Sequence, residues 1–230
     1  MQKYTTVFFD LFNTLISVGE VPASIGRFTA DILGFDHEQW NTACFSAKHE
    51  ICRPTEHEEV LHTLAKNIDP DINPERVKEA TLHRQRRFDY ALQQVRNDVL
   101  DVLRQLKGHG IKLCLVSNAS TAEVAAWSDS PLASLFDNAL FSCECGLKKP
   151  DIKIFQHALE QMESDKHNCL FVGDGGSDEL VGAYQTGLTT VLTTQFSVKH
   201  RIEKVRQQQG AAIVHEIGHI SGVFQLLKSA

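Results

Sequence analysis

Residues Cys169 to Ala183 read CLFVGDGGSDELVGA. The run Cys169–Val172 is apolar without alternation, as in a strand buried on both faces. A glycine-rich loop carrying Asp174 and Asp178 interrupts it, and a helical pattern resumes around Glu179 to Thr186. The same order of strand, loop and helix recurs on either side. Ile111–Val116 (IKLCLV) is a strand, followed by Ser117-Asn118 and a helix from about Thr121. Ala139–Ser142 is a short strand ahead of Lys148-Lys149-Pro150-Asp151, and Asp151–Met162 is a helix. Leu188–Leu192 is a strand before a basic helix near Val198–Gln209, and Ala211–Val214 closes the series. Val7–Phe9 is the first strand, with Asp10 at its tip. Strands alternating with helices predict βαβ units and an α/β fold with a parallel sheet.

Residues 18–95 break this pattern. They hold almost no strand signal and several helical ones, which predicts a small α-helical cap domain inserted after the first strand, with residues 1–17 and 96–230 forming the sheet core. Pro22 opens one helix and Gly34 is placed to end it. Glu38–Ile51 is a second. Thr55-x-x-Glu58 has capping-box spacing at the start of a third. Asn73-Pro74 starts a fourth, whose basic cluster Arg84, Arg86 and Arg87 reads as a solvated face.

Composition sets the outer limits. The chain has 230 residues, 42% hydrophobic and 23% charged, with a formal net charge of -6. That charge argues against nucleic acid or an anionic membrane as the main partner. No apolar stretch approaches the about 20 residues needed to span a bilayer. The N-terminal MQKYTT is not a signal peptide. The six cysteines (44, 52, 114, 143, 145 and 169) form no disulfide framework, and Cys114 and Cys169 sit in strand-like runs as buried thiols do. A reduced cytoplasm is the expected setting, with the chain a monomer or homodimer.

In an open parallel sheet, ligands bind beyond the carboxyl ends of the strands. The residues just past each strand therefore make up the site. Asp10 and Asn13-Thr14 lie past the first, Ser117-Asn118 past the second, Lys148-Lys149 past the third, and Asp174 with Asp178-Glu179 past the fourth. A carboxylate nucleophile, hydroxyl and amide donors, a cation and further carboxylates suit the handling of a phosphate with a divalent metal. Asp10 can attack phosphorus and form an aspartyl-phosphate. Mg²⁺ prefers hard oxygen ligands of the kind Asp10 and Asp174 supply. Thr14 and Ser117 can hold phosphate oxygens, and Lys149 can neutralise redistributing charge. Asn118 and Arg53 are the candidate substrate-binding residues.

In order and spacing, FFDLFNTL, LVSN, KKPD followed by IF, and VGDGGSDELVGA resemble the motifs of the haloacid dehalogenase superfamily of hydrolases. The resemblance spans the chain. It implies a Rossmann-like core with a mobile helical cap and Mg²⁺-dependent hydrolysis of a small phosphorylated metabolite. Carried over, Asp10 is the nucleophile, Ser117 the second-motif residue and Lys149 the third-motif lysine, with Lys148 as its fallback. Asp174 is the direct metal ligand, and the Phe12 main-chain carbonyl matches a further metal contact. Asp178 and Glu179 both stand at offsets open to the last acid, with Asp178 favoured.

Phe12 departs from the family pattern, which places a second, acid–base aspartate two residues after the nucleophile. A phosphatase then needs its proton transfer from elsewhere, and cap residues His49, His57 and Arg53 lie in closing segments, or it needs a leaving group that takes little protonation. 2-Haloacid dehalogenases also carry an aromatic residue there and use no metal, which makes them the alternative reading. A ligand-binding protein without turnover and C–P cleavage through Lys48 or Lys66 are further readings. HEIGH (His215–His219) matches a zinc-protease pattern, but the strand expected before it and Gly218 disfavour the single helix that pattern needs. Cys143-x-Cys145 reads as two reduced thiols.

Overall fold

The computed structural model describes residues 3–228. Its strands are β1 Thr6–Phe9, β2 Lys112–Ser117, β3 Asn138–Phe141, β4 Cys169–Gly173, β5 Thr189–Thr193 and β6 His215–Ile217. They form one sheet in the order β3-β2-β1-β4-β5-β6, with every pairing parallel. In β1, Phe8 pairs with Cys114 on one side and Phe171 on the other. The chain steps from β1 outward to β2 and β3, then returns to β4 on the far side. The carboxyl ends of β1 and β4 therefore flank the point where strand order reverses, the usual place for a ligand in such a sheet.

The continuous apolar runs are explained by burial on both faces. Val7, Phe9, Leu113, Leu115, Leu170 and Val172 pack on one side against helix residues such as Val99 and Leu103. Phe8, Cys114, Val116 and Phe171 pack on the other, with Ile154, Phe155, Leu180 and Ala183. Phe155 meets Phe171 edge-on, with centroids 5.2 Å apart. Such a pair contributes about 0.5–1.5 kcal/mol beyond its buried area.

The helices are α1 Thr29–Leu33, α2 His37–Cys44, α3 His57–Ile68, α4 Pro74–Gln93, α5 Asn97–Gly108, α6 Ser142–Cys145, α7 Ile152–Gln161, α8 Glu179–Thr186, α9 Lys199–Gln209 and α10 Val223–Lys228. The first four lie between β1 and β2 and enclose a core of their own, built on Trp40, Leu61, Leu64 and Val77.

Several local expectations shift. No helix starts at Pro22; α1 is short and closes at Gly34, whose φ of 79° suits glycine. α2 ends at Cys44, where Ser46 bonds back to the Ala43 carbonyl, rather than running to Ile51. α3 has Glu56, not Thr55, at its N-cap, because the Thr55 hydroxyl bonds to the Arg53 carbonyl. Asn73 caps α4 as expected, its side chain accepting from Glu75 N–H. After β2 only single 3₁₀ turns form, the first closed by Ser120 and Glu123. The last strand is His215–Ile217; residues 210–212 are a 3₁₀ turn instead. His215 is thus in a strand, and His219 caps the following turn, so the two share no helix.

The basic cluster of α4 is also corrected. Arg86 is exposed, but Arg84 and Arg87 are buried. Arg87 donates to the carbonyls of Gly26 and Val18, and Arg84 pairs with Glu123. All six cysteines are free, with Cys114 and Cys169 buried in the sheet. Among the described residues no helix is long and apolar enough to cross a membrane.

Candidate active site

Asp10 leaves the tip of β1, held there by its N–H bonding to the Val172 carbonyl of β4. The chain then turns sharply. Asn13 takes a left-handed φ of 58°, and a single bridge joins Phe12 to Ile16. The turn brings Thr14 back so that its hydroxyl donates to Asp10 Oδ2 at 2.9 Å. Thr14 is fully buried, so it orients the carboxylate rather than facing open space.

Lys149 reaches Asp10 from the loop after β3. Its Nζ lies 2.5 Å from Asp10 Oδ1 and 2.5 Å from Glu179 Oε2. Asn118 fixes that loop by bonding both main-chain groups of Lys149: its amide donates to the carbonyl at 2.9 Å and its oxygen accepts from the N–H at 2.8 Å. Asn118 thus positions Lys149, and it also lines the cavity over the site, where a substrate contact is expected of it. Lys149 rather than Lys148 is the buried lysine, and Lys148 is exposed at the cavity edge.

The loop after β4 places the two acids differently, though both line the cavity. Gly175, Ser177 and Asp178 have φ of 82°, 52° and 51°. These left-handed turns leave Asp178 exposed and return Glu179 to the site as the first residue of α8. Glu179 Oε1 accepts from Gly175 N–H at 3.0 Å. Gly173 is required by this packing, since a Cβ there would stand 2.2 Å from Glu179 Oε1. Glu179, not Asp178, thus joins the cluster.

Asp10, Asp174 and Glu179 each present an oxygen within 4.8 Å of the other two, and all three are buried. A set of hard carboxylate oxygens at that spacing fits a small divalent cation. Two protein cations already serve it. Besides Lys149, Arg201 of α9 donates to Asp174 Oδ2 at 2.7 Å. Counted as fully ionised, three carboxylates against two cations leave one negative charge in excess. Burial raises the Asp174 carboxyl above its usual range, against Arg201 and with the help of Asp10. Burial, then Asp10, raises Glu179 further, although Lys149 opposes both. For Lys149, burial disfavours the charge but Asp10 and Glu179 outweigh it, so the ammonium is retained. Arg201 has no counterpart in the expected site.

A cavity of about 770 Å³ opens over these groups. Its helical side includes Trp40, Phe45, His49, Ile51, Arg84 and Phe88. Phe12 packs edge-on against Phe88, with centroids 5.4 Å apart. Ser117 ends β2 fully buried, with its Oγ unpaired. Arg53 is not brought in: its side chain is 69% exposed and pairs with Glu50. His57 does not line the cavity, nor do the exposed Lys48 and Lys66. Cys143 and Cys145 are not among the described residues grouped closely enough to hold a metal.

A family model for haloacid dehalogenase-like hydrolases matches residues 4–184. A glyceraldehyde 3-phosphate phosphatase of Methanothermobacter thermautotrophicus is 28% identical over 106 residues, covering 45% of this chain and 46% of that protein. The chain thus matches less than half the length of that relative. A ribulose-1,5-bisphosphate 5-phosphatase of Halopiger xanaduensis is 26% identical over 201 residues, covering 82% of this chain and 84% of that protein. The crystal structure of the L-2-haloacid dehalogenase RSc1362 superposes with a TM-score of 0.69 at 20% identity, over 99% of this chain and 100% of that one. The shared fold thus spans relatives named as phosphatases and a structure named as a haloacid dehalogenase.

Proposed function

The chain belongs to the haloacid dehalogenase-like hydrolases, and from that premise we propose that it is a Mg²⁺-dependent phosphatase of small phosphorylated molecules, with Asp10 as nucleophile. The observation that carries the reading is the buried set of Asp10, Asp174 and Glu179, whose charge Lys149 and Arg201 do not fully balance. Asp10 and Asp174, with the Phe12 carbonyl, are the residues that would hold the ion. When bound, Mg²⁺ supplies charge that lets a carboxylate approach a phosphate dianion.

The protein residues do the remaining work. Thr14 fixes one Asp10 oxygen and Lys149 the other, so the carboxylate is oriented before substrate arrives. Asn118 holds the Lys149 main chain in place. Ser117 Oγ, an unpaired donor buried at the end of the neighbouring strand just outside the cavity lining, is the group that would take a phosphate oxygen once the site admits one. Residues 18–95 act as a cap domain over residues 1–17 and 96–230, shielding the cavity from water. Neither Asp178 nor Arg53 has a part in this reading.

A second reading is favoured by two features. Phe12 offers no proton, and each carboxylate oxygen of the cluster already accepts a hydrogen bond from the protein. A dehalogenase in which Asp10 displaces halide from carbon needs no more than that.

One experiment separates them. Phosphate release from 4-nitrophenyl phosphate is expected to require Mg²⁺, to stop with EDTA, and to vanish in Asp10→Asn. Halide release from 2-chloropropionate that persists in EDTA, without phosphate release, would establish the dehalogenase instead.

A further inference from the structure

Phosphoryl transfer from an ordinary alcohol ester needs a proton for the departing oxygen. Phe12 cannot give one, so the cavity must contain a substitute or the leaving group must not need it. The helical side holds His49, Glu123 and the Cys44 thiol as groups able to carry protons. His49 Nδ1 lies 2.8 Å from the Cys44 carbonyl, to which it must donate. Its Nε2 is buried and faces Glu123 Oε1 at 3.7 Å. Glu123 in turn accepts from Arg84 at 2.6 Å and from Ser120 N–H at 2.8 Å. His57 lies outside the cavity lining, and burial, helped by Arg84, lowers its imidazole to about 4. His49 and Glu123 thus face each other, and Glu123 is tied to Arg84.

The same wall is aromatic. Phe12 stands edge-on to Phe88, Trp40 stacks on Phe35, and Phe45 is 61% exposed while lining the cavity. Arg84 on that wall is neutralised by Glu123 and lies over the Phe88 ring at 4.3 Å. About 770 Å³ is within the range that buries a ligand of several rings' size.

We propose that the substrate is a phosphomonoester of a phenol, an aryl phosphate whose ring lies among Phe12, Phe88 and Trp40. The inference rests on the phosphatase reading and narrows it. A phenol loses its proton near pH ~10, whereas an aliphatic alcohol holds its proton about as tightly as water, near ~15.7. The departing phenolate is therefore stable without a general acid. Asp10 forms the bond to phosphorus, the P–O(aryl) bond breaks, and the electron pair leaves on the phenolate oxygen, which is protonated by solvent. Water then attacks the aspartyl-phosphate; the P–O bond to Asp10 breaks, the carboxylate is restored, and the water proton leaves with the phosphate. Phe12 thus removes the acid and supplies ring contact at one position.

The test compares phenyl phosphate, 4-nitrophenyl phosphate, benzyl phosphate and cyclohexyl phosphate with Mg²⁺ present. Benzyl phosphate keeps the ring but leaves as an aliphatic alcohol. Phenyl phosphate is expected to exceed benzyl phosphate in kcat/KM by about 10²-fold or more, the worth of a missing general acid, and 4-nitrophenyl phosphate to exceed both. Phe12→Asp should raise kcat/KM for benzyl phosphate and shrink that ratio. Phe88→Ala should raise KM for phenyl phosphate with less effect on kcat. Equal kcat/KM for phenyl and benzyl phosphates, or preference for cyclohexyl phosphate, would overturn the inference while leaving the phosphatase reading intact. Phosphate release from none of the four would overturn both.

Discussion

On the sheet side of the cavity Lys149 lies between Asp10 and Glu179, and on the helical side Arg84 lies against Glu123. Both are cations buried beside carboxylates, with every side chain less than a tenth exposed. They differ in what surrounds them. The sheet cluster adds Asp174 and Arg201 and keeps one carboxylate in excess. The helical pair is balanced, and it joins α4 to the 3₁₀ turn after β2. An uncompensated charge in a buried site costs stability whatever it does, so keeping one marks a candidate functional site; a balanced pair can serve docking alone.

Substitution separates the two roles. Removing one partner of a buried pair typically costs about 3–5 kcal/mol, whereas replacing both with apolar residues is near neutral. Arg84→Met is expected to cost about that much in urea unfolding, and Arg84→Met with Glu123→Leu to restore most of it. The double variant should retain turnover of the wild-type substrate, with KM shifted through the cavity wall. The matching double change on the sheet side, Lys149→Met with Asp10→Leu, should abolish turnover whatever the stability. A helical double variant as inactive as the sheet one would show that Arg84 and Glu123 act in the reaction and erase the distinction.

The contrast also marks how much of the molecule is legible in its sequence. The sheet side is readable because each of its residues lies just past a continuous apolar strand, and strand ends converge by topology. Asp10, Lys149 and Asp174 meet as that topology requires. Glu179 over Asp178 is not readable, because three left-handed residues between positions 175 and 178 set which side chain turns inward. Arg201 stands 27 positions from its partner, on a helix that reads only as basic. Arg84 and Arg87 read as solvated for a related reason. Periodicity reports only neighbours on the helix, and their partners lie 39 and more positions away. Helix ends in residues 18–95 depart from the pattern where Ser46 and Thr55 hydroxyls bond to nearby carbonyls and outcompete helical turns.

A pH measurement sharpens the comparison on the helical side. His57, in the first turn of α3, has both ring nitrogens buried without a hydrogen-bond partner. Burial, and then Arg84, lower its imidazole to about 4, from about 6.5 when unfolded. Between those values the unfolded chain binds the proton and the folded chain does not, so stability falls as pH falls from about 6.5 toward 4. Glu123 acts in a lower window. Burial raises its carboxyl, but Arg84 and His49 outweigh that and hold it below the usual range. Its contribution is present above the unfolded value of about 4.3 and is lost as pH drops below it. His57→Gln should therefore flatten the decline of thermal midpoint between pH 6.5 and 5 and leave the steeper loss below pH 4 in place. An unchanged profile would mean that His57 is not held neutral in the folded protein.

The smallest expected effect is on the sheet side, at Arg201. Asp174 Oδ1 accepts from Gly176 N–H at 2.8 Å and Oδ2 from Arg201 at 2.7 Å. An ion held by Asp174 must share an oxygen with one of them, and the guanidinium carries the like charge. Arg201, about a third exposed, can withdraw toward solvent, whereas the Gly176 main chain sits in a constrained loop. On the phosphatase reading, Arg201 would compete with the cation for Asp174, and removing it would trade one positive charge for another. Arg201→Gln is expected to tighten Mg²⁺ binding by up to about tenfold, close to 1.4 kcal/mol, measured by titration calorimetry without substrate. Unchanged affinity would place the ion away from Oδ2. Weaker binding would mean that Arg201 preorganises Asp174 for the ion, which would make the pair resemble Thr14 with Asp10 rather than a counter-charge to be displaced.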